Sequence, residues 1–504
     1  MTKTKNLSRR QALAYGAAAV SAPFIQRGAL ARQQEASDVV VIGAGLAGLN
    51  AAWILSEQGH SVSVLEGSGR VGGRVNTVRK DDTLIEFGAS EVGATYARIL
   101  DAMDRLGLEL IDEDRDVMPF CSHISGQTIA ADAWADSPVN KTTGAERSIL
   151  PNDLAANSIY KLFPLPDSGA WLDPKFKPYD VSFAELFNQS GLSDEALRLA
   201  SLPAGIADPF NASALAMFQE YSLMILSMRE QGAGDAFRGI GLGQEKKPGE
   251  LHNPASSGIP IWNVKGGTSR IPEEIASKLP GPVHFNKLAM RIDMDETGVD
   301  VYCMDGSHFR ARYVVCAIPF HLLRMMDVNP DFQGQQLNAV INLGVAHTTR
   351  AYLKVKGPFW QEDGLEPSMF TDTGLGSLWM IDNHRGSSEY RAMLVLTGLA
   401  ASRFDAISPS LVPEYIKSEL ARIRPASRGQ IEVLGYKSWA QDPFIRACRH
   451  KFKPGQVTAF ANDMILPWKR MHFAGEHTRR LEVGMEAAME SGERAALDIL
   501  DLLS

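Results

Sequence analysis

Cysteine is scarce in this chain, with only Cys121, Cys303, Cys316 and Cys448 among 504 residues. None stands in a CxxC pair or at a His/Cys ligand spacing, so neither a metal site nor a disulfide framework is expected. Excess positive charge is also missing: 51 Lys and Arg face 59 Asp and Glu, for a net charge of −8. No electrostatic argument therefore points to nucleic acid or an anionic membrane as partner. The 11 histidines form no triad-like cluster with serine and aspartate. No internal repeat and no low-complexity tract is visible. What remains is ordinary for a soluble globular chain, 45% apolar and 22% charged. Its length calls for two or three domains rather than one core.

The N-terminus reads as an address. Ser8-Arg9-Arg10-Gln11-Ala12-Leu13 precedes a mildly apolar run over 14–25, then Ala29-Leu30-Ala31. A charged n-region, a short h-region and a small-x-small site follow in that order. The run falls short of the roughly 20 apolar residues that a spanning helix needs, so no stable membrane insertion is expected. The paired arginines resemble a twin-arginine export signal. Residues 1–31 are expected to be this signal, cleaved after Ala31 to leave a periplasmic protein; a basic tail is the alternative.

Beyond it, the pattern opens as strand, glycine turn and helix. Residues 38–42 are a buried-strand run, Gly43-Ala44-Gly45-Leu46-Ala47-Gly48 opens a helix to about Gln58, and 61–66 form a second strand. That is the start of a parallel βαβ sheet. Residues 299–306 look like a hairpin arm and 313–319 like another buried strand. The stretch 95–255 reads as mostly helical, with interruptions at 247–249 and 254–258. Strands at 349–355 and 391–396 and a helix near 413–423 follow.

The glycine turn carries chemistry. Gly43 and Gly45 let the backbone approach a pyrophosphate, Gly48 lets helix pack on strand, and the helix N-terminus attracts the phosphate charge. Glu66, ending the second strand, can accept hydrogen bonds from ribose hydroxyls. A dinucleotide is therefore expected here.

Glu66-Gly67-Ser68-Gly69-Arg70-Val71-Gly72-Gly73-Arg74 resembles the E-x-x-x-R-x-G-G-R stretch of the flavin amine oxidase superfamily. Phe473-Ala474-Gly475-Glu476-His477-Thr478 and Met485-Glu486 resemble that superfamily's C-terminal flavin segment, and 265–268, 285–289 and the strand to Pro319 recur in family order. The resemblance implies an α/β fold: a GxGxxG Rossmann-like FAD domain with a mixed α+β substrate domain. The FAD domain would comprise 36–94, 259–326 and 436–504, and the substrate domain 95–258 and 327–435.

It further implies FAD bound by Gly72, Gly73 and Arg74 at the diphosphate and ring, by Gly88, Ala89 and Ser90, by Ala289 beside adenine, and by Gly475 and Glu476 at the ribityl phosphate. Met485 would open a helix aimed at the ring's N1/O2 edge. The implied activity is oxidation of the carbon beside an amine to an imine that water hydrolyses. Electrons would pass to oxygen or a periplasmic carrier. A homodimer is left open.

Several positions depart from the family pattern. Its lysine near flavin N5 falls on Arg350, which stays protonated and cannot relay a proton; slow reoxidation by oxygen is expected. The two aromatics that flank the ring fall on Arg449 and Gly484, so an open, polar pocket is expected, with Trp439 counted among its residues. Arg449 would bind a substrate acceptor or pair with a protein acid. Glu91 stands where amino-acid oxidases place a carboxylate-binding arginine, and would attract a second cationic group or pair with Arg350 or Arg449. Cys448, directly before Arg449, is where some relatives bond a cysteine to the flavin; the alternative retained is a small residue beside non-covalent FAD. Three readings stand: an FAD-dependent oxidase or dehydrogenase of a polar amine, an L-amino-acid oxidase, and a flavin-binding protein with little turnover.

Overall fold

The computed structural model describes residues 36–80, 83–112, 117–202, 208–230, 261–381 and 390–504. The expected signal at 1–31 and the interruptions at 247–249 and 254–258 lie outside them.

The strand Ser37–Ile42 has four consecutive buried residues, Val39 to Ile42, because both faces of its sheet are covered. It pairs in parallel with Val62–Leu65 on one side and with His308–Cys316 on the other. Val283–His284 extends the parallel layer beyond Val62–Leu65, and Met471–Phe473 adds to it at Val314, Val315 and Cys316. The opposite half of the long strand His308–Cys316 turns antiparallel to Val299–Cys303, followed by Ala289–Met294 and Asp327–Asn329. The resulting eight-stranded sheet gathers the two ends of the chain around the first strand.

The helix Leu46–Glu57 covers this sheet and is crossed by the C-terminal helix Gly484–Leu503. Gly492 makes the crossing feasible, since a methyl there would overlap the Ala47 carbonyl. Asn50 Nδ2 donates to Met489 O at 2.8 Å and fixes the register. Overpacking of this kind costs about 1–3 kcal/mol, and here it would separate two helices that both begin at the same cavity.

A second sheet of seven strands runs Ile431–Ser438, Thr348–Val355, Tyr390–Thr397, Ser377–Ile381, Ser368–Thr371, Phe120–Ile124 and Gln127–Ile129. Helix Val412–Ile423 packs Val412, Ile416, Leu420 and Ile423 into the core beneath it. Helices Leu154–Leu162, Phe183–Gln189, Asp194–Ala200 and Ala214–Glu230 form a further apolar layer.

Sheet membership shifts some expected boundaries. Asp327–Asn329 belongs to the larger sheet, and Ile431–Ser438 runs through 435/436. Helix Ala97–Leu106, within the expected substrate domain 95–258, buries Ile99, Ala102 and Met103 in the same core as Val39 and Val41 of the first strand. The strand Phe120–Ile124, inside the stretch read as helical, is buried at all five positions and so shows no alternation to read. Among the described residues, no helix is long and apolar enough to cross a membrane.

Candidate functional site: a cavity between two helix N-termini

A cavity of about 600 Å³ opens where the first strand ends, within the roughly 300–1,000 Å³ usual for ligand and cofactor sites. Gly43 turns the chain at φ +103°, a left-handed value that a side chain would strain. Nothing lies within 4 Å of where a Cβ on Gly45 would stand, so that backbone faces open space. No side chain caps the helix Leu46–Glu57, whose leading amides and positive dipole end are left for a ligand. Gly72 N donates to Ala44 O at 2.8 Å, tying the second glycine loop to the first. Glu66 accepts from Ala44 N at 2.9 Å and from Ser68 N at 2.7 Å, one on each oxygen. Each oxygen keeps a second lone pair for a ribose hydroxyl.

At the far end stands the N-terminus of Gly484–Leu503, also without a side-chain cap, with Val483, Gly484 and Met485 lining the cavity. Gly484 has φ +61°, and a Cβ there would lie 3.2 Å from the Tyr96 hydroxyl oxygen. Tyr96 is placed by its neighbours: it is the N-cap of Ala97–Leu106, and the Glu486 carboxylate accepts from Arg98 N at 2.9 Å and Ile99 N at 3.1 Å. The carboxylate caps a helix that its own N-cap residue leaves uncapped.

A chain of alternating charge joins the two ends. Arg74 Nη1 donates to Cys448 O at 3.0 Å and to Glu476 Oε2 at 3.2 Å. His450 Nδ1 lies 3.1 Å from the same oxygen. Arg479 Nη1 donates to Glu476 Oε1 at 3.3 Å, and both its Nη atoms reach Glu220 Oε1 at 3.3 Å. Burial opposes ionisation of Glu476, yet His450, Arg74 and Arg479 together hold its carboxyl well below the usual range. Burial lowers the His450 pKa, which favours its neutral form. Glu220 holds the Arg449 guanidinium charged at 3.8 Å.

Of the residues expected at the cofactor, Gly43, Gly45, Glu66, Gly72, Gly73, Arg74, Gly88, Ala89, Ala289, Cys448, Gly475, Glu476 and Met485 line this one cavity, as do Arg350, Trp439, Arg449 and Gly484. Arg350 Nη1 donates to Gly88 O at 3.1 Å, and Trp439 Nε1 to Phe87 O at 3.1 Å. Gly48 lies outside, where a Cβ would collide with Gly43 O, in keeping with a packing role. Ser90 and Glu91 correct the expectation. Ser90 is buried behind the wall, its carbonyl accepting from Asn263 and Thr268. Glu91, exposed and directly ahead of the strand Val92–Gly93, is not among the lining residues, although its charge reaches the Tyr96 hydroxyl that is.

Sequence reasoning missed Tyr96, Glu220 and Arg479. Tyr96 sits in a loop without a motif. Glu220 is the lone charge in the first two turns of Ala214–Glu230, and Arg479 directly follows Glu476-His477-Thr478; both signals were readable.

The donors fit a dinucleotide that is anionic at one end and becomes electron-rich at the other: two uncapped helix N-termini, Arg74, and a ribose-facing carboxylate. Fold and cavity thus define a dinucleotide-binding protein. The family model for flavin containing amine oxidoreductase matches residues 46–500. The chain is 24% identical over 481 residues to an L-amino-acid oxidase of Siganus canaliculatus, covering 92% of this chain and 85% of that one. It is 25% identical over 479 residues to flavin-containing amine oxidase B of Homo sapiens, covering 92% and 86%. In fold it resembles cyclohexylamine oxidase from Brevibacterium oxydans, with TM-score 0.70 and 19% identity over 93% of this chain and 99% of that one. Putrescine oxidase bound to putrescine gives 0.67 and 22% over 92% and 99%. The chain belongs to the flavin containing amine oxidoreductase family. It is a flavin-dependent enzyme, and its cofactor is FAD.

One acid beside the site titrates near neutrality. Burial, then Glu486 and Glu490, push the Glu482 carboxyl up from 4.5 to about 7, against Arg98. Between those values the folded protein holds a proton that the unfolded chain has released, so stability falls as pH rises through that window. Glu482→Gln removes this slope. Thermal unfolding of the FAD-loaded variant is expected to match the parent at about pH 4 and to exceed it by a few degrees at about pH 8. Equal melting temperatures at the higher pH would contradict the assignment.

Proposed function

We propose that the protein oxidises the C–N bond of a polar amine to an imine, which water hydrolyses to a carbonyl compound and an amine or ammonia. Electrons pass to oxygen or another acceptor. The observation that carries this reading is the cavity lining, in which Tyr96, Glu220, Arg350 and Arg449 stand in place of purely apolar side chains. FAD, when bound, supplies the sink for two electrons. The chain's residues do the rest.

The amides at Leu46 and the glycine loops would hold the diphosphate and Glu66 the ribose, and the uncapped end at Gly484 would offset negative charge at the ring. Arg350, anchored on Gly88 O, orients groups at the ring face but remains protonated throughout. Cys448 contributes its carbonyl to Arg74, and FAD is held without a covalent bond.

An L-amino-acid oxidase is the second reading, and Arg449 favours it. Its side chain is 52% accessible and lines the cavity, where it can meet a carboxylate. The segment 1–31 would take either enzyme to the periplasm.

The test is anaerobic reduction of the flavin across a panel of amines, polyamines and α-amino acids. Bleaching by polar amines that carry no α-carboxylate is expected. Bleaching by α-amino acids alone would transfer the conclusion to the second reading, and no bleaching by any compound would leave a flavin-binding protein. Acid precipitation of the same sample should release the yellow colour; colour retained on the precipitate would place the flavin on Cys448.

A further inference from the structure

We propose that Glu220 and Arg449 form a specificity device in which Glu220 positions Arg449 to receive a hydrogen-bond acceptor at the far end of the substrate. This rests on the reading of the cavity as an amine site and adds to it the class of amine: one with a distal carboxylate, carbonyl or similar acceptor rather than a second ammonium group.

The two carboxylate oxygens of Glu220 have different partners. Oε1 takes both Nη atoms of Arg479 at 3.3 Å, and Arg479 is itself only 2% exposed and anchored on Glu476. Oε2 faces Arg449 Nη1 at 3.8 Å. Glu220 is therefore a saturated acid. Its charge is matched by a buried arginine that cannot leave, and little of it remains to attract a substrate cation.

Arg449 is in the opposite condition. At 3.8 Å its contact with Glu220 exceeds hydrogen-bond length, and among the described residues its guanidinium has no hydrogen-bond partner. Its accessible side faces the cavity. A guanidinium offers five donors in a planar fork, so this one is oriented by charge and left with donors to give. The Tyr96 hydroxyl stands at Gly484; burial and the carboxylates of Glu91, Glu486 and Glu482 hold it protonated, against the charge of Arg449. The acid that faces Arg449, Glu220, is thus occupied by Arg479, while Arg449 keeps donors to give. The backbone assists, since Arg449–Lys451 is a strand paired with Gly344–Ala346, which fixes the start of the Arg449 side chain.

The experiment compares two amines of equal length, one ending in a carboxylate or amide and one in a methyl group, on the FAD-loaded protein and on Glu220→Gln, Glu220→Asp and Arg449→Met. Flavin content of each variant is measured first. The parent is expected to favour the acceptor-ended amine about tenfold in kcat/KM, the ratio that one charge-assisted hydrogen bond supports. Glu220→Gln should raise KM for that amine about tenfold more than it raises KM for the methyl-ended amine. Glu220→Asp should recover part of the loss, and Arg449→Met should abolish the preference.

A parallel titration needs no turnover: a carboxylate without an amino group is added and the flavin difference spectrum recorded. A spectral shift in the parent that is lost in Glu220→Gln and Arg449→Met supports the device even if no amine reduces the flavin, which would overturn the amine reading alone. Equal KM changes for both amines, a preference for a second ammonium group, or the absence of both the kinetic and the spectral effect would overturn the proposal.

Discussion

The close crossing of Leu46–Glu57 and Gly484–Leu503 is the constraint on which the site depends. Both helices begin at the cavity, one after the first strand and one near the end of the chain, and both lack a side-chain cap. Gly492 lets their backbones approach, and the bond from Asn50 to Met489 sets their offset. Two positive helix ends are thereby held on one elongated cavity. A ligand that carries a diphosphate and, at its other end, a ring that gains electrons meets a favourable dipole at each. The same helix delivers Glu486, which caps Ala97–Leu106 and so places Tyr96 against Gly484. One packing contact therefore reaches from the nucleotide to the substrate wall.

Burying this much charge requires compensation. Glu476 is tolerable in the interior because Arg74, His450 and Arg479 surround it. Arg479 in turn is tolerable because a second carboxylate, Glu220, shares it. An isolated buried ion would cost several kcal/mol; arranged with alternating sign, these groups form a fixed scaffold that ends on Arg449 at the cavity.

The nucleotide half was legible in the sequence, for a physical reason. Gly43, Gly48, Glu66 and Gly72 each meet a requirement that few other residues can meet, namely a positive φ, a close approach or a carboxylate at a strand end. Such requirements leave fixed spacings. Phe120–Ile124 was not legible, because a strand buried on both faces lacks the alternation that marks strands. Tyr96 was invisible because its role arises from a carboxylate almost four hundred positions away. Glu91 stands just ahead of the strand Val92–Gly93, exposed and off the lining, and position in a motif does not reveal such a side chain's direction. Glu220 could have been found as the one early charge in an apolar helix.

The central claim is that one FAD molecule spans the two helix ends. A crystal structure of the FAD-loaded protein tests it directly. The account predicts the diphosphate at the amides that open Leu46–Glu57 and the ring edge at the N-terminus of Gly484–Leu503, with Arg449 on the exposed face of the ring. A flavin ring lying away from Gly484, or a diphosphate held elsewhere than at the Gly43 turn, would contradict it.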